Sequence, residues 1–198
     1  VADGRVRSED DVAAYLGHLL RDGVATCDAV AVAAAHRALE QGDVASLVDV
    51  DWNLEAFKFA REAREGSRVM GRRYLEWGVL CAATEGLRQY EAAIRHGDAP
   101  GHAATALGSV LAACGWSRQD AIGAALYQTA VGWVSAAIRL MPVGQRGGQR
   151  VLASLLPVIE SAAREAESGD VGSMRSWTPM HDIRMIRHER QPTRLFRS

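Results

Sequence analysis

Leu54-Glu-Ala-Phe-Lys-Phe-Ala-Arg-Glu-Ala-Arg-Glu-Gly-Ser-Arg-Val-Met-Gly-Arg-Arg-Tyr-Leu-Glu-Trp-Gly-Val-Leu-Cys81 decides the fold class. Phe59, Ala63, Gly66, Met70, Tyr74, Trp77 and Cys81 recur every three or four residues, which is the period of one helix face. A single long helix over about 54–81 is predicted, with that stripe turned inward. Glycine inside a helix costs about 1 kcal/mol against alanine, so a neighbouring backbone is expected to approach at Gly66. Arg61, Arg64, Arg68 and Arg72 share a second face, and Glu65 and Glu76 follow Arg61 and Arg72 by four residues. This ladder has three readings: a solvated, internally paired face, a dock for an acidic protein surface, or a guanidinium contact on a nucleotide-binding partner.

Helical punctuation continues on both sides. Ser8 precedes three acidic residues and reads as an N-cap. Thr26 and Asp28 open an alanine-rich helix that stops at Gly42, and Asp43 to about Val50 reads as a short one. Helices are predicted over about Thr84–His96, Gly101–Cys114 and, capped by Ser117, onward to Leu140. Met141-Pro142-Val143-Gly144 forces a turn, because proline disfavours helix in the residue before it. A long helix over about Gln145–Glu167 follows, with Pro157 expected to kink it. Gly169–Trp177 reads as a linker and Met180–Glu189 as a final short helix. Strand signals are scarce. The expected architecture is an all-α, single-domain bundle of about 7–9 helices over residues 1–168, followed by a linker and a docked, partner-binding C-terminal tail over 169–198.

The composition of the 198 residues is globular, with net charge −1, which supplies no field for nucleic acid or an anionic membrane. Ala121–Ile138 contains no charge and reaches the length threshold for a membrane span, but its alanine, glycine and polar content favours a buried core helix. Lys58 is the only lysine. A Gly-Lys-Ser/Thr phosphate loop is therefore absent, and GC-rich codon usage accounts for the bias. Cys27, Cys81 and Cys114 lack zinc or disulfide spacing and read as core residues of a reducing, cytoplasmic setting. The chain opens without Met or a signal peptide, so a leading segment is expected.

No nucleophile is paired with a base in any hydrolase, zinc-protease or dinucleotide motif, and no catalytic residue, metal ligand or cofactor is assigned. His181 and His188, seven residues apart beside Asp182 and Glu189, read as polar surface rather than a nickel site. His36 and His102 read as solvated. The tail is different: Leu195 and Phe196 stand between Arg194 and Arg197, an apolar pair for burial flanked by guanidinium forks for carboxylates.

Ala60–Arg73 resembles the central helix of the urease accessory protein UreF family. Ala136-Ala-Ile-Arg-Leu-Met-Pro-Val-Gly-Gln145, with Gln149, is similar to its hallmark segment. Thr178-Pro179, Arg187-His188-Glu189 and Arg194-Leu-Phe-Arg-Ser198 are similar to its tail. The family's Pro-x-Gly and Ser-rich leading motif is missing, and Arg139 stands where relatives can hold lysine. The resemblance implies a non-enzymatic factor in nickel insertion: a homodimer that binds UreD (also called UreH), recruits the GTPase UreG, modulates it, and acts on apo-urease. It assigns partner contacts to the arginine ladder, to Arg139, Pro142, Gly144, Gln145 and Gln149, and to Arg187, His188, Glu189, Arg194, Leu195, Phe196, Arg197 and Ser198. The alternatives are a helical DNA-binding transcription regulator, which needs a basic recognition helix, and a helical-bundle metalloprotein, which needs inward carboxylates and Glu-x-x-His pairs.

Overall fold

Ser8 accepts the Asp11 N–H while the Asp11 side chain takes the Ser8 N–H, a capping box that starts the first helix of a computed structural model describing residues 6–188. That helix, α1 (Glu9–Leu19), runs into a π-helical turn (Leu20–Val24). There follow α2 (Asp28–Glu40), α3 (Val44–Phe57), α4 (Arg61–Cys81), α5 (Glu85–His96), α6 (Ala103–Ala113), α7 (Arg118–Leu140) and α8 (Gln145–Glu167). A 3-10 turn (Val171–Ser173) and an extended strap lead to α9 (Pro179–His188). The described residues are all-α, as expected. Thr84 and Ser117 cap α5 and α7, and Gly42, Gly97 and Gly115 take positive φ just past helix ends.

The core is organised around α2. Residues Ala29 to His36 are buried all round, so α2 is the central helix, with α6, α3, α7 and α8 packed about it. Small side chains set the spacing: a Cβ at Gly108 of α6 would collide with the Val32 carbonyl of α2. On the far side of α6, α4 packs by the same device. A Cβ at Gly71 would meet the Gly101 carbonyl, and one at Gly78 would meet Val110. The close approach is therefore at Gly71 and Gly78, not at Gly66, which is half-buried.

Several expectations are corrected here. The 54–81 stretch is two helices, broken at Lys58–Ala60. Lys58 leaves helical geometry (φ −96°, ψ 87°) and its amine reaches Asp28 at 2.8 Å. Arg64 then donates to the Lys58 and Phe59 carbonyls, at 2.7 and 3.0 Å, tying the break to the first turn of α4. The stripe Phe59, Met70, Trp77, Cys81 is exposed, because the inward face of α4 is Gly71, Leu75 and Gly78, one residue out of phase. Only 28% of the most apolar window of α7, a helix long and apolar enough to cross a membrane, is buried, since it lies at the edge of the bundle. Cys27 is buried, whereas Cys81 and Cys114 are exposed near helix ends. His36 and His102 are buried, each drawn inward by hydrogen bonds: His36 Nε2 lies 2.9 Å from the Trp116 carbonyl oxygen.

Candidate partner-binding surfaces

The residues of the arginine ladder divide by environment. Asp51 of α3, fully buried, accepts the Gly101 and His102 N–H groups and so caps α6, whose own N-cap His102 offers no side-chain bond. The His102 ring bridges onward, with Nδ1 3.1 Å from Ser67 Oγ and Nε2 2.7 Å from Glu55 Oε2. Arg68 and Arg64 both turn their guanidinium groups to Glu55. Burial opposes the Glu55 charge, but the bonds from Arg68 and His102 hold its carboxyl below the usual range. Burial likewise lowers the His102 pKa, against the pull of Asp51 and Glu55. Ser67, His102 and Glu55 follow the order of a hydrolase triad, yet Ser67 Oγ already accepts the Ala103 N–H at 3.2 Å and the ring is fully buried. Their geometry joins α3, α4 and α6. Arg64 and Arg68 are thus internal ties. Arg61 stays exposed and loosely paired with Glu65 (3.9 Å), and Arg72 is exposed with no ion pair among the described residues, Glu76 included.

The turn between α7 and α8 is a clamped elbow. Met141 and Val143 are buried, while Pro142, Gly144, Gln145 and Gln149 are exposed. Gly147 and Gly148 pack directly under Glu9 and Ile138, leaving no room for side chains. Arg150 closes the clamp, its Nε and Nη2 donating to the two Glu9 oxygens at 3.0 and 2.8 Å. The elbow therefore rests on α1, with Arg139 exposed in the last turn of α7 beside it. Here the structure does bring the expected residues together at one end of the α7–α8 hairpin.

At the C-terminal end, the strap lies along the π-helical turn: the Arg175 and Trp177 N–H groups donate to the Thr26 and Asp22 carbonyls, both at 2.9 Å. The Thr26 hydroxyl, expected to open α2, instead donates to the Arg175 carbonyl at 2.7 Å. His181 is packed against α1, its Nδ1 3.1 Å from the Tyr15 hydroxyl, and burial lowers its pKa. Arg187 is exposed on α9. The His188 side chain, Glu189, Arg194, Leu195, Phe196, Arg197 and Ser198 lie outside the described residues, and with them the docked tail.

A fourth surface was not anticipated. Trp77 and Leu80 of α4 are 71% and 84% exposed, and Val69 and Met70 join them on the outer side of that helix. A groove of about 460 Å³, lined by Met70, Tyr74, Val131 and Gly132, carries this apolar surface across to α7.

The sequence model of the UreF family matches residues 6–156, from the start of α1 to the middle of α8. A urease accessory protein UreF of Bradyrhizobium sp. (strain BTAi1) is 36% identical over 198 residues, which is all of this chain and 81% of that protein. The chain belongs to the urease accessory protein UreF family. UreF proteins of Rhizobium leguminosarum bv. viciae and Rhodopseudomonas palustris (strain BisA53) are 35% and 34% identical, again over the whole chain and over 84% and 82% of their own lengths. This assignment replaces the two alternatives weighed from the sequence. The segments that carry the resemblance, 136–149 and 60–73, lie at the clamped elbow and on α4. Sequence reasoning missed Asp51, Glu55, Ser67 and His102 because their partners lie 35 to 51 residues apart, with no local pattern to mark them.

Proposed function

We propose that this UreF protein is a non-enzymatic, cytoplasmic scaffold for nickel insertion into apo-urease, a homodimer that bridges UreD (UreH) and the GTPase UreG. The observation that carries this reading is the elbow. Its exposed residues Pro142, Gly144, Gln145 and Gln149 stand on a turn fixed by buried anchors and by the Arg150–Glu9 fork. A rigid exposed turn binds with little ordering cost, which suits a contact that must prefer one conformation of UreG and so modulate it. The second contact is further along the chain, on its C-terminal side. There α9 presents Met180, Ile183 and Ile186 at 54%, 44% and 38% exposure, and the arginine-flanked Leu195-Phe196 pair follows; this is the surface we assign to UreD. The outer apolar face of α4 and α7 is assigned to the second copy of the chain.

The two contacts separate in one experiment. Truncation after Gln191 is expected to abolish capture by co-expressed UreD with helical content intact. Arg139→Ala is expected to leave UreD capture normal and to lower UreG recruitment and the nickel content of urease. Wild-type behaviour of both variants would refute the bridging scheme.

A further inference from the structure

A groove of about 730 Å³ lies between the π-helical turn, α8 and the strap that leads to α9. Ala25, Pro157, Val158 and Ala162 give it an apolar floor, and Arg21, Arg175 and Trp177 stand on its walls. The wall residues are placed by the backbone. Side chains of an extended segment alternate between faces, and the strap's bonds to Thr26 and Asp22 fix which face is which. Met174 and Thr178 turn into the protein, at 6% and 8% exposure, so Arg175 and Trp177 turn out, Trp177 to 76%.

The charges are unequal in their engagement. Asp22 is paired with His18 at 2.6 Å, and Glu165 accepts the Ser161 hydroxyl at 2.9 Å. Arg21 and Arg175 have no ion pair or side-chain hydrogen bond among the described residues. Two unpartnered guanidinium forks and an exposed indole above an apolar floor form a surface complementary to carboxylates carried on an apolar segment. Nucleic acid would need a continuous basic field, and Glu165 on the rim and the net charge of −1 deny it one.

We propose that this groove receives an acidic, extended segment of the protein that docks on α9, its carboxylates held by Arg21 and Arg175 and an apolar side chain seated between Trp177 and Pro157. The inference rests on the reading that UreD takes the C-terminal end, and it names the chemistry UreD brings there. The strap is the wall of the groove and the lead into α9, so one partner can hold both.

The test titrates cognate UreD against the full chain, R21Q/R175Q, Trp177→Ala and the chain truncated after Gln191, each at low and high salt. R21Q/R175Q is expected to weaken binding at least tenfold and to flatten its salt dependence. Trp177→Ala is expected to weaken it by a similar factor while the salt dependence stays. All three positions are exposed, so the fold should hold; single R175Q serves if the double variant unfolds. Wild-type affinity and salt dependence in the arginine variants overturn the inference. If the truncated chain has meanwhile lost binding, the C-terminal reading survives that failure. If the truncated chain binds normally, that reading fails as well.

Discussion

Gly71 and Gly108 show how single atoms set the spacing of this bundle. At both positions a methyl group would meet a backbone carbonyl, of Gly101 and of Val32, which cannot swing aside as a side chain can. Gly71→Ala and Gly108→Ala are each expected to cost about 1–3 kcal/mol through overpacking. Gly123, inside α7 with nothing within 4 Å of its added Cβ, is expected to gain up to about 1 kcal/mol as alanine. Thermal midpoints of the three variants check the contrast, and equal shifts would contradict it. His102 carries a second prediction at this scale. Its folded pKa lies below the ordinary 6.5, so its contribution to stability is complete above pH 6.5 and declines as pH falls below it. Glu55, held below 4.5, adds a loss of the same sign at lower pH. Burial depresses His181 in the same direction, so the comparison must isolate His102. His102→Gln should lower the thermal midpoint at pH 7.5 and flatten its decline between pH 7 and 5. A decline as steep as in the wild type would contradict the assignment.

At the scale of elements, most of the helices were legible and the phase of one was not. Ser8, Thr84 and Ser117 cap where their side chains said they would, and glycine stops three helices. These signals are local, each needing only its own few residues. The break at Lys58–Ala60 had no such signal, because no glycine or proline marks it. It depends on Asp28, 30 residues away, and on the Arg64 guanidinium turning back. The phase of α4 misled for a different reason. Hydrophobic periodicity finds bulky inward residues, whereas α4 packs through glycine and leaves Met70, Trp77 and Leu80 outside. Part of the stripe that gave the helix away, with Met70, Trp77 and Cys81, is therefore exposed surface. An apolar face of this kind marks an interaction site, and we expect Trp77→Glu with Leu80→Glu to convert the proposed dimer to monomer with helical content unchanged. Light scattering behind a sizing column reads this directly, and a variant that keeps wild-type mass would assign the face to something else.

For the whole molecule, the arrangement of surfaces matters more than any cluster of side chains. The elbow is pinned to α1, the strap and α9 hang from the π-helical turn, and the α4–α7 face lies along the bundle. Of these, the elbow was legible in advance because Pro142 and its neighbouring glycines are unusual in sequence as well as in space. Within the four-arginine ladder, only the fold reveals that Glu55 claims Arg64 and Arg68. On the proposed reading, the chain acts by holding its partners together. The most direct measurement of that claim is the mass of the soluble complex after co-expression with cognate UreD and UreG. We expect one assembly containing all three proteins with two copies of this chain, and loss of UreG alone with Arg139→Ala. Separate elution of UreD and UreG in the presence of the intact chain would contradict the account.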